Sequence, residues 1–242
     1  MNKADLDKIA QAYHTSPDVP DKHIEDLCQR YAATWMLRIL EGAQRVLELG
    51  FGEGIITQSL VDDGRTVTVV EGARILYDEI RERFGGRVEA VHALFENFTP
   101  RGDFDAVVAS HILEHVDEPV AVLKRIRAWL SRHGKLVVVV PNKESLHRRL
   151  AVIMGWQPEL DSLSLRDHLV GHRRVYSHTT LARDLDDAGF RVVEATGFFL
   201  KPLANSMMLG YSAELLTAMN EIAGEVPKEL LANIGVAAVT SE

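Results

Sequence analysis

The run Arg45-Val46-Leu47-Glu48-Leu49-Gly50-Phe51-Gly52-Glu53-Gly54 sets an acid inside an apolar segment and follows it with three alternating glycines. Glycine lets the backbone turn sharply and lets a ligand lie against it with no Cβ in the way. A carboxylate in an apolar strand, as at Glu48, needs a compensating partner. A second acid, Glu71, ends the next apolar run and is followed by Gly72. It lies about 20 residues beyond the loop, where a carboxylate can accept two hydrogen bonds from ribose hydroxyls. The remaining chemistry-bearing groups are histidines. Ser110-His111 follows a third apolar run, and His168, His172 and His178 stand among Arg166, Arg173, Arg174 and Tyr176. Imidazole titrates near neutrality and can take a proton from a weak nucleophile or donate a hydrogen bond.

Those groups need a scaffold. Short apolar strands at 45–50, 66–71, 88–92, 104–109 and 135–140 alternate with amphipathic helices at 53–63, 73–84 and 118–131. Runs such as Val137-Val138-Val139-Val140 are unbroken, as in strands covered on both faces, so the sheet is read as parallel with helices on either side. Residues 142–178 break the rhythm. They are polar, with helical pieces near 143–154 and 160–169, and read as a cap inserted into the core. The alternation resumes with helix 179–188 and strand 190–199. Helices near 211–222 and 227–232 and a last strand at 234–240 follow. Residues 2–41 read as two helices separated by Ser16-Pro17-Asp18-Val19-Pro20-Asp21, because two prolines so close together break a helix. The division is therefore an N-terminal helical lid over 1–41 and a core over 42–242.

Composition narrows the function. The 242 residues are 46% hydrophobic with a formal net charge of −8, enough for one large α/β domain and poor for binding nucleic acid. No segment approaches the roughly 18 apolar residues of a membrane span, and the charged N-terminus lacks an apolar signal core. The one cysteine, Cys28, suits a reducing cytoplasm and reads as a packing residue. The cap runs against the overall charge. Lys143, Arg148, Arg149, Arg166, Arg173 and Arg174 outnumber Glu144, Glu159, Asp161 and Asp167, which fits either arginines paired with acids of the core, the favoured reading, or a lid suited to an anionic acceptor.

The order E-x-G-x-G-x-G resembles the first motif of class I S-adenosylmethionine (SAM) dependent methyltransferases. A dinucleotide fingerprint would place a glycine at position 55, where Ile55 stands. Phe104-Asp105-Ala106-Val107 through Leu113-Glu114-His115-Val116-Asp117-Glu118-Pro119 looks like the fourth-strand motif of small-molecule members related to the ubiquinone-biosynthesis O-methyltransferase. Leu130-Ser131-Arg132-His133-Gly134-Lys135-Leu136 with Pro141-Asn142, and Tyr176-Ser177 into Ala188-Gly189-Phe190, are similar to later motifs of that group. The resemblance covers about residues 40–200. It implies a Rossmann-like, seven-stranded, mostly parallel sheet with an antiparallel last strand.

It also implies roles. Glu48, Gly50, Phe51, Gly52, Gly54, Glu71, Gly72, Ser110 and His111 would face SAM. Many relatives carry Asp after the third strand; here Leu94 stands in that place, so Leu94 and Phe95 would hold adenine by apolar contact. Transfer is an in-line displacement in which positioning supplies much of the rate, and a hydroxyl acceptor needs a base. His172, in a Gly171-His172-Arg173 element resembling that of relatives, and His111 are the candidates. His115 is read as structural or cofactor-side. Tyr13, His14, His168, Arg173, Arg174 and Tyr176 would contact a small-molecule acceptor. No metal is expected. The expected enzyme moves a methyl group from SAM to oxygen or nitrogen as a monomer or homodimer, leaving S-adenosylhomocysteine. The alternative is a SAM-binding regulatory or partner protein without catalysis.

Overall fold

The structure, a computed structural model, describes residues 6–11 and 21–241. Residues 6–11 are helical (α1). The order then runs α2 Lys22–Ile39, β1 Arg45–Leu49, α3 Ile55–Asp62, β2 Thr66–Glu71, α4 Arg74–Phe84, β3 Val88–His92, β4 Phe104–Ser110, α5 Pro119–Trp129 and β5 Leu130–Pro141. The cap holds α6 Leu146–Ile153 and α7 Leu165–Leu169. The chain finishes with α8 His178–Asp187, β6 Phe190–Phe198, α9 Ala213–Glu221 and β7 Asn233–Thr240.

One seven-stranded sheet has the order β3-β2-β1-β4-β5-β7-β6. The strands through β5 pair in parallel, and β7 lies antiparallel between β5 and β6. Alternate strand residues feed two cores. Val46, Val67, Val108 and Val137 pack with α2, α3 and α4, while Leu47, Val107, Leu136 and Val138 pack with α5 and α8. The expected α/β sandwich with an antiparallel final strand is present. Strand order reverses between β1 and β4. Neighbouring connections there leave to opposite faces and open a crevice at the strands' carboxyl ends.

Several boundaries move. Helix α3 starts at Ile55 because Gly54, its N-cap, is left-handed at φ 71°. Helix α5 stops at Trp129, and Leu130 already pairs with Phe104 across a bulge. The helix expected over 227–232 is one 3-10 turn, Lys228–Leu230. Its continuation is prevented because Ala232 N–H bonds to Phe199 O while Ala232 O accepts from Asn142 N–H, so the chain is already drawn into the sheet. The proline-rich break at 16–21 lies, apart from Asp21, outside the described residues. Helix α2 buries Ile24, Cys28, Ala32, Ala33 and Met36 and forms a layer of the core.

Candidate active site

A cavity of about 1160 Å³ opens at the switch point. The glycine loop and the ends of β2 and β4 form its floor, and α6, α7 and residues 201–207 form its far wall. Gly50, Gly52 and Gly54 all take positive φ, at 73°, 53° and 71°. A Cβ on Gly54 would lie 2.5 Å from the Phe51 ring, whereas one on Gly52 would meet nothing within 4 Å. Gly52 lines the cavity, so its missing side chain leaves room for a ligand against the backbone. Glu71 fastens this loop to β2, accepting from Phe51 N–H at 2.9 Å and Ala73 N–H at 2.7 Å. A carboxylate offers about four lone-pair positions and can accept from several donors at once. Glu48 is buried on β1 and accepts from Thr57 Oγ1 at 2.7 Å. Burial, helped by the nearby Glu71 charge, pushes its carboxyl up to about 8 against the hydrogen bond from Thr57. Near neutral pH it is mostly the uncharged acid.

Two imidazole–carboxylate pairs face the other end. His172 Nδ1 lies 2.8 Å from Asp167 Oδ1. Burial works against the Asp167 charge, but bonds from His172 and Ser164 and the Arg148 guanidinium hold the carboxyl below the usual range. It therefore only accepts, so Nδ1 carries a proton toward it and Nε2 is the ring position left for another partner. Sequence directs this locally. Ser164 and Asp167 form a capping box at the start of α7, and Arg148 Nη2 on α6 reaches Asp167 Oδ2 at 2.7 Å. The second pair is His111 Nδ1 with the fully buried Glu114 Oε1 at 3.1 Å. His111 takes φ 56°, a position that costs a non-glycine residue on the order of 1 kcal/mol. Burial opposes its protonation, but the bond and charge of Glu114, with Glu25 behind, raise its basicity. The His115 and His172 rings meet edge to face at 4.8 Å. One ligand atom from each of Glu114, His115 and His172 lies within 4.8 Å of the others, an arrangement the sequence spacing does not announce.

Residues 21–195 match the model of a family described as a methyltransferase domain. The chain belongs to the class I SAM-dependent methyltransferases. A ubiquinone biosynthesis O-methyltransferase of Xanthomonas axonopodis pv. citri is 26% identical over 224 residues, covering 89% of this chain and 92% of the relative. Among solved structures, the CcbJ methyltransferase from Streptomyces caelestis superposes with TM-score 0.63 at 19% identity, covering 98% of this chain and 97% of that one. The Burkholderia thailandensis 1,6-didemethyltoxoflavin-N1-methyltransferase gives 0.64 at 18% identity, over 100% and 92%.

In this methyltransferase the cavity gathers Glu48, Gly50, Phe51, Gly52, Glu71, Gly72, Leu94, Phe95, Ser110, His111, His168 and His172 from the sequence-derived residues. Gly54 stands behind the loop, against Phe51. Arg173, Arg174 and Tyr176 do not line the cavity. Arg173 pairs with Asp117, Arg174 bonds to the carbonyl oxygens of Leu113, Val116 and Asp117, and the buried Tyr176 hydroxyl donates to Asp184. Tyr13 and His14 lie outside the described residues. The cap's positive balance is largely spent inside the protein. Arg148 pairs with Asp167, Arg166 chelates Asp21, and Arg149 donates to Glu144 O. Sequence reasoning missed the partner role of Asp167, for which the Ser164-x-x-Asp167 capping pattern was the available signal. It also missed Lys201, His147 and Asn205 in the far wall, which no motif marks.

No helix among the described residues is long and apolar enough to cross a membrane.

Proposed function

We propose that this methyltransferase transfers the methyl group of SAM to an oxygen or nitrogen of a small-molecule acceptor held under the cap. The observation that carries this reading is that the glycine loop and the Asp167–His172 pair line one cavity. The residues present fit the cofactor. Gly52 leaves open space at the loop, Glu71 is fixed by two backbone amides where ribose hydroxyls would lie, and Leu94 and Phe95 supply apolar surface for adenine. When bound, SAM supplies an electrophilic methyl on a sulfonium. The chain's own task is to align the nucleophile and move its proton. Nε2 of His172 accepts that proton, and Asp167 keeps the ring in the required tautomer and stabilises the imidazolium that forms. His111, held by Glu114, donates a hydrogen bond to the acceptor from the end of β4. Arg173, Arg174 and Tyr176 hold the cap to the core from outside the cavity lining.

Incubation with methyl-labelled SAM and a panel of catechols, phenols and amines tests the reading. The wild-type protein should label at least one acceptor. His172→Ala should transfer about 10²–10⁴-fold more slowly with unchanged affinity for S-adenosylhomocysteine. Equal turnover by the variant would remove His172 as the base. Cofactor binding without label transfer to any acceptor would favour a non-catalytic SAM-binding protein.

A further inference from the structure

Among the described residues, three basic side chains other than histidine line the cavity: Arg148, Arg166 and Lys201. The two arginines are occupied, Arg148 by Asp167 and by the carbonyl of Ser162, and Arg166 by both carboxylate oxygens of Asp21. Lys201, just past β6, makes no hydrogen bond or ion pair among the described residues. Glu25 attracts it without contact and is itself held by Asn205 Nδ2 and, at 3.8 Å, by Arg166. Burial lowers the basicity of Lys201; the attraction of Glu25 opposes this, and the repulsion of Arg166 and Arg148 adds to it.

The same wall carries two further polar atoms with nothing to bind. His147 Nδ1 and Asn205 Oδ1 are buried and have no hydrogen-bond partner, and both residues line the cavity. Burial, with the charges of Lys201 and Arg148 beside it, holds His147 well below its usual value, so the ring is neutral there. Buried polar groups are paired in the great majority of proteins, and an unmatched one costs about 1–3 kcal/mol. Both atoms are sealed away from the cavity, so the polar group that this wall leaves to a ligand is the Lys201 ammonium.

We propose that Lys201 forms the recognition subsite for the acceptor, and that the acceptor carries an anionic oxygen, carboxylate or phenolate, that seats on Lys201 Nζ. This deepens the reading of the cavity as the cofactor-and-acceptor cleft and rests on it. Lys201 can donate its three ammonium hydrogens to such a group without giving up a protein contact, whereas both arginines already hold carboxylates. The charge preference first read from the whole cap is thereby reduced to one lysine outside it.

The test compares matched acids and amides by calorimetry on protein saturated with S-adenosylhomocysteine. The pairs are salicylate with salicylamide and 3,4-dihydroxybenzoate with 3,4-dihydroxybenzamide; 4-nitrophenolate with nitrobenzene at pH 8 supplies the phenolate arm. Wild-type protein should bind at least one anion about tenfold or more tighter than its neutral partner. A preference in the first two pairs assigns a carboxylate, and one only in the third a phenolate. Lys201→Met should shrink the gap below about threefold, and Lys201→Arg should keep most of it, both with wild-type affinity for S-adenosylhomocysteine. No anion bound in preference to its partner by the wild type, or a gap that survives Lys201→Met, would overturn the proposal while leaving the cofactor reading intact. Failure of S-adenosylhomocysteine to bind wild-type protein would instead overturn the underlying reading, and the proposal with it.

Discussion

Glu48 and Asp167 are both buried carboxylates of one cavity, and their neighbours drive them in opposite directions. Asp167 collects bonds from His172, Ser164 and Arg148 that favour the charge; Glu48 has one hydroxyl, an apolar strand around it and another acid nearby. Asp167→Asn offers His172 an amide that can donate as well as accept, releasing the tautomer that leaves Nε2 basic. Turnover should fall about 10²-fold or more, and the affinity for S-adenosylhomocysteine should stay within about threefold. Unchanged turnover would make Asp167 structural only. Glu48 has a folded value of about 8 against an ordinary 4.5. Between those values the folded protein holds a proton that the unfolded chain lacks, so stability drains away as pH rises through this window. Glu48→Gln removes the effect. It should raise Tm over wild type at pH 8 and change it little at pH 5, as followed by circular dichroism; equal shifts at both would show that Glu48 ionises freely. At this scale the sequence marks residues through motif and type, which is how Glu48, Glu71 and His172 are found. Asp167 and Lys201 escape because their roles come from partners brought together by folding: Arg148 and His172 for the first, Glu25 and His147 for the second.

At the scale of elements, the alternation of apolar runs and amphipathic helices carries nearly all of the strand and helix placements, since burial on both faces forces unbroken Val, Leu and Ala in the middle of β4 and β5. Boundaries fail where one contact decides. Gly54 delays α3 by being left-handed, and the bonds of Ala232 to Phe199 and Asn142 prevent a helix that its leucines would allow. That the last strand is antiparallel comes from the family resemblance, and its seat between β5 and β6 is seen only in the fold, because spacing does not reveal strand order. The glycine loop gives a prediction that separates conformation from space. Both Gly52→Ala and Gly54→Ala force alanine into positive φ, at a cost of about 1 kcal/mol. Only at Gly54 does the new methyl also strike the Phe51 ring. Gly54→Ala should therefore lower Tm clearly more than Gly52→Ala, whereas Gly52→Ala, whose methyl enters the cavity, should weaken S-adenosylhomocysteine more relative to its stability loss. Equal effects on both quantities would show that the loop does not border the ligand.

The whole molecule sets the sheet's reversal point against a cap whose arginines are used mainly to hold it in place. Arg166 joins α7 to the start of α2 through Asp21, and Arg174 joins the cap's end to the turn after β4. On the opposite side α1 reaches over the floor. Leu6 approaches Gly72, Ile9 approaches Gly171, and Asp7 accepts from the first amides of α4. These ties turn loops that are separate in sequence into one enclosed volume, a property no local pattern contains. The central claim is that this volume takes SAM by way of the glycine loop, and titration calorimetry of the wild-type protein with S-adenosylhomocysteine, with NADH as control, tests it most directly. Micromolar binding of S-adenosylhomocysteine and none of NADH is the predicted result; binding of NADH, or of neither, would contradict it.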